Sequence, residues 1–81
     1  FVSSQPIRDA AELLARGDWQ AAHDLVQANE SLPHAAWAHG IVHILEGDLD
    51  NARYWYGRAG RPFSASAGNE LQALRETLGP G

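Results

Sequence analysis

His39, His43 and Glu46 stand at i, i+4 and i+7. Helical spacing brings such residues onto one face, one turn above another. Two imidazoles and a carboxylate would then lie in line. His23, in the segment before, could approach the same layer. Three imidazoles and a carboxylate are a suitable donor set for Zn²⁺ or another divalent metal, and the same groups could instead bind a small ligand or transfer a proton. The chain has no Cys, which excludes a thiolate zinc site, a thiol nucleophile and a disulfide scaffold. Histidine and carboxylate are the strong metal ligands that remain. The run His39-Gly-Ile-Val-His43 lacks the glutamate that follows the first histidine of a metalloprotease helix, so that chemistry is disfavoured. The competing reading makes the same histidines neutral, hydrogen-bonded packing residues.

A second constellation follows in Asn51, Tyr54, Trp55, Tyr56, Arg58 and Arg61. On a helix, Asn51, Trp55 and Arg58 share a face. Tyr, Trp and Arg are the residues that interface hot spots favour, and arginine can stack on an indole or fork onto a carboxylate. With Trp37 these give a candidate contact set of Trp37, Tyr54, Trp55, Arg58 and Arg61 for a protein or peptide partner that carries acidic groups. Alternatively, Trp55 fills the groove beside the last helix and the arginines are solvated. No Gly-rich phosphate loop is present. Ser64 and Ser66 sit in a small-residue connector without the company a nucleophile needs. Asp18 and Asp48 each follow a glycine and precede a helix, where a cap is the simplest role. No catalytic set is complete, so an enzyme is not expected.

The elements that must position these residues are helical. The 81 residues make one domain at most. Alanine and leucine are abundant, and no stretch alternates long enough to be a strand. The patterning predicts helices over about 6–16, 18–29, 33–47, 48–59 and 67–78. Pro6 suits a first turn, and Gly17, Gly47 and Gly60 act as stops. On the third helix Trp37, Ile41 and Ile44 fall on one side, opposite His39, His43 and Glu46. His34 falls in a first helical turn and is expected to be exposed.

Gly17-Asp18 recurs as Gly47-Asp48, thirty residues later, with Ala22 matching Ala52 and Val26 matching Tyr56. Gly40, Gly47, Asp48, Ala52, Tyr56 and Ala59 resemble the tetratricopeptide repeat pattern, and Ala10, Gly17, Asp18 and Ala22 resemble it more sparsely. The resemblance implies an all-α fold, a right-handed stack of two antiparallel helical hairpins (about 3–32 and 33–62) plus a connector and closing helix (63–81). It implies a non-enzymatic scaffold for a protein or peptide, and it makes His39 and His43 face the partner helix of their own pair. The pattern departs from the family in its period of 30 rather than 34, in His43 where an aromatic is usual, and in Trp37, one place off. The segment Asn51 to Pro62 is also similar to part of a group of small helical proteins without assigned activity.

Charge adds further bounds. Ten acids against six arginines, with no Lys, give −4. Residues 1–50 carry eight acids and two arginines (−6), and residues 51–81 carry two acids and four arginines (+2). Net acidity argues against a nucleic-acid partner, and no apolar run approaches the ~20 residues of a membrane span. An acidic and a basic end suit self-association into a homo-oligomer. A cytoplasmic location is the expectation. The chain starts at Phe1, which suggests a trimmed piece of a longer protein.

Overall fold

The computed structural model of the chain describes residues 4–79, and it is all-α over that range. Its helices are α1 (Gln5–Ala15), α2 (Trp19–Ala28), α3 (Ala35–Glu46), α4 (Leu49–Ala59) and α5 (Ala67–Leu78). No strand occurs among the described residues. Phe1, Val2, Ser3, Pro80 and Gly81, which the domain bounds include, lie outside them.

The two Gly-Asp turns are built alike. Gly17 and Gly47 take φ of 80° and 88°, the left-handed region that glycine enters without a Cβ penalty. Asp18 N–H reaches back to the Leu13 carbonyl and Asp48 N–H to that of His43, both at 2.9 Å. Each aspartate then accepts the backbone N–H three residues on, from Ala21 at 3.4 Å and Asn51 at 3.3 Å. Each partner in one turn stands thirty residues from its counterpart in the other. Bonds from the Asn51 side-chain amide and backbone also hold the Asp48 carboxyl below its usual range.

The third helix begins two residues later than its pattern suggests. His34 adopts φ 67°, the one left-handed non-glycine among the described residues, and serves as the N-cap without a side-chain bond. A left-handed residue cannot continue a helix, so α3 starts at Ala35. His34 is exposed, as expected, but stands just outside the helix.

α3 is the centre of the fold. It touches α1, α2, α4 and α5, and every residue from Trp37 to His43 is buried. Both faces read from the sequence therefore turn inward as far as His43, while Glu46, at the end of the polar face, is exposed. Gly40 permits the closest approach: a Cβ there would lie 2.5 Å from the Tyr56 ring of α4. α5 lies against α1 and α3, closing the bundle. It is tied to α1 by an Arg75–Glu12 ion pair of 2.7 Å and by Arg8, which donates to the Leu78 carbonyl at 2.6 Å.

Glu70 makes that closure specific. Its Oε1 accepts from the Trp37 indole N–H (3.2 Å), the Tyr56 hydroxyl (2.8 Å) and Arg61 Nε (3.0 Å), while Oε2 accepts from Arg61 Nη2 (3.3 Å). The Arg61 guanidinium also lies 3.8 Å over the Trp37 ring. Burial alone would raise the Glu70 carboxyl. Arg61, with the Tyr56 and Trp37 donors, more than offsets this and holds it below the usual carboxylate range. Burial and the Glu70 bond together push the Tyr56 phenol well above its ordinary value. Removing one partner from a buried charged network orphans the others. Glu70→Ala should lower unfolding free energy by about 3 kcal/mol, and Tyr56→Phe by about 1 kcal/mol. Urea denaturation measures both. A Glu70→Ala protein within about 0.5 kcal/mol of the parent, the range of ordinary surface changes, would contradict this assignment.

Candidate functional site

Three histidines meet between α2 and α3. His39 and His43 occupy successive turns of α3, and their rings stack with centroids 5.0 Å apart. His23, from α2, meets them edge-on at 4.7 Å and 5.6 Å. One ring nitrogen from each lies within 4.8 Å of the other two. His39 and His43 are buried and His23 is half-buried. Trp55 of α4 covers the cluster by stacking on His39, with centroids 3.9 Å apart and planes 10° from parallel. Sequence spacing placed His39, His43 and Glu46 in line. Tertiary packing adds His23 from one side and Trp55 from the other.

Glu46 plays a different part from the imidazoles. Its Oε1 lies 2.8 Å from His43 Nδ1. An ionised carboxylate only accepts, so His43 carries its proton on Nδ1 and leaves the Nε2 lone pair for another partner. Such a carboxylate behind an imidazole sets ring orientation and raises ligand basicity. Glu46 and Asp48 both approach His43, at the edge of the cluster. Neither His23 nor His39 has a hydrogen-bond partner among the described residues.

The candidate contact residues separate into two groups. Trp37 is buried, with its N–H on Glu70, and Arg61 holds the same carboxylate. Both act inside the fold rather than as an open contact surface, although they line, with Arg58, one side of a surface groove of about 530 Å³. Tyr54, Trp55 and Arg58 stay together on α4. Tyr54 is 56% exposed and meets Trp55 edge-on at 5.3 Å. Arg58 donates to the Tyr54 hydroxyl at 3.3 Å and lies 5.3 Å from the Trp55 ring centroid. Asn51 turns instead to Asp48, at 2.6 Å.

Sequence reasoning passed over Glu70. Its only local signal is an acid in the first turn of α5, which favourable interaction with the helix dipole already explains. A sharper clue was available in three unpaired donor types, Trp37, Tyr56 and Arg61, on elements that must pack together.

No family model matches the chain, and neither a curated protein nor a solved structure matches it. The geometry of the site therefore carries the functional reading.

Burial, and then the neighbouring His23 and His43, lower the His39 imidazole from its ordinary 6.5 to about 4. The unfolded chain accepts a proton at His39 near the ordinary value, whereas the folded chain resists it. Stability thus falls as pH drops from 6.5 towards 4 and is fully present above 6.5. The Tm of the metal-free protein should fall over that window, and His39→Gln should flatten the slope. Equal slopes in both proteins would contradict the assignment of His39 as the buried neutral imidazole.

Proposed function

We propose that the domain binds a divalent transition-metal ion through His23, His39 and His43, with Glu46 orienting His43. The observation that carries this reading is the convergence of three imidazole nitrogens within 4.8 Å of one another. A tetrahedral ion with Zn–N bonds of about 2.0–2.1 Å needs its donors about 3.3 Å apart. The remaining gap is at most about 1.5 Å, within the reach of ring rotation and a shift of half-buried His23. Imidazole ligands suit Zn²⁺, Co²⁺, Ni²⁺ and Cu²⁺ rather than Mg²⁺ or Ca²⁺. The ion would join α2 to α3, stabilising their junction.

Calorimetric titration at pH 7.5 should register one Zn²⁺ per chain, with no comparable uptake of Mg²⁺. Free ion at 100 times Kd should stabilise the fold by about 2.7 kcal/mol, seen as a rise in Tm. The double variant His39→Ala/His43→Ala should lose both effects. Zinc binding unchanged in that variant, or absent from the parent protein, would contradict the reading.

A second reading is favoured by the Tyr54–Trp55–Arg58 cluster on the exposed side of α4. In it, the chain is a tetratricopeptide-like stack of antiparallel hairpins, an interaction module whose partner is a second copy of itself. The contrast between the −6 half and the +2 half supplies the charge complementarity. Sedimentation at low salt should give a concentration-dependent dimer that 0.5 M NaCl weakens and that Tyr54→Ala/Arg58→Ala abolishes. A monomer at every concentration would contradict it.

A further inference from the structure

An ion held by three imidazoles is one donor short of tetrahedral coordination. What fills the fourth position depends on which other donors can reach it. Glu46 and Asp48 form a set with His43, yet neither joins the set that unites His43 with His23 and His39. Glu46 Oε1 is committed to His43 Nδ1 at 2.8 Å. Asp48 accepts from the Asn51 amide at 2.6 Å and from the Asn51 backbone. On the α4 side the cluster meets the flat face of the Trp55 indole, which offers no lone pair. Solvent approaches past half-buried His23.

From this arrangement we infer that the ion keeps one coordination position for an exogenous small monodentate donor, a water molecule or a small anion. The inference rests on the metal reading and deepens it. Three neutral imidazoles leave the full +2 of the ion uncompensated in the first coordination sphere, and low local dielectric strengthens its pull on an anion. Arg58, 5.3 Å from the Trp55 ring centroid, adds positive potential on the α4 side. Glu46 neutralises part of the charge from behind His43, without occupying the open position. The centre is thus built to bind and polarise a small ligand rather than to be a closed structural clamp.

Cobalt reads this directly, because its visible bands report coordination. The full chain is loaded with one Co²⁺ at pH 7.5 and titrated with sodium azide. The expected result is a saturable shift of the visible bands with one azide per cobalt. A cobalt-loaded spectrum that azide leaves unchanged would overturn the inference while leaving the metal reading intact. If Glu46→Gln then gained an azide response, the fourth donor would be Glu46 and the site closed. Failure of the chain to load cobalt at all would overturn both the inference and the metal reading beneath it.

Discussion

The Glu70 carboxylate is the constraint on which the rest of the structure depends. Taking a carboxylate out of water costs several kcal/mol unless its lone pairs are satisfied. Here four hydrogen bonds from Trp37, Tyr56 and Arg61 satisfy them. Those donors come from α3, from α4 and from the residues just past α4, so the bonds can form only when α5 is seated. Apolar packing would bring α5 down somewhere on α1 and α3, since hydrophobic burial is not directional. The carboxylate selects one position. Arg61 is brought to it by the α4 terminus, where Gly60 takes φ 68° and Arg61 N–H caps the Tyr56 carbonyl.

The histidine cluster lies on the same central helix. α3 packs against four helices, and His39 and His43 on its polar side are buried with it, between α2 and α4. The Tyr56 ring, fixed at one end by Glu70, lies flat enough against α3 that only a glycine fits at position 40. The close α3–α4 contact then lays Trp55 over His39. One residue before Gly40 and three after it are the two imidazoles. The electrostatic character of the site follows from the same enclosure, because burial is the largest influence lowering His39. The proposed ion would find one ligand ready: an imidazole must be neutral to coordinate, and burial favours the neutral form of His39.

Much of this was legible in residue spacing, and the parts that were not share a physical cause. α5 was read to the residue at both ends. α2 and α4 differ only by the capping aspartates and neighbouring end positions, because glycine in the left-handed region and an Asx cap are local chemistry. The alignment of His39, His43 and Glu46 is local as well, being a property of one helix. The start of α3 was misplaced because the left-handed turn at His34 has no composition signal, unlike a glycine. Glu70 was missed, and Trp37 and Arg61 were set among the contact residues, for one reason. A tryptophan and an arginine look the same in sequence whether they face a partner protein or a buried carboxylate 33 and 9 residues away.

In the proposed site His23, His39 and His43 form one coordination sphere. X-ray absorption at the zinc edge of the loaded full chain tests it most directly. Three imidazoles should give nitrogen scatterers at about 2.0–2.1 Å, with the outer-shell pattern of rigid rings, and one further light atom. A sphere of six oxygens, or one with fewer than three imidazoles, would contradict this.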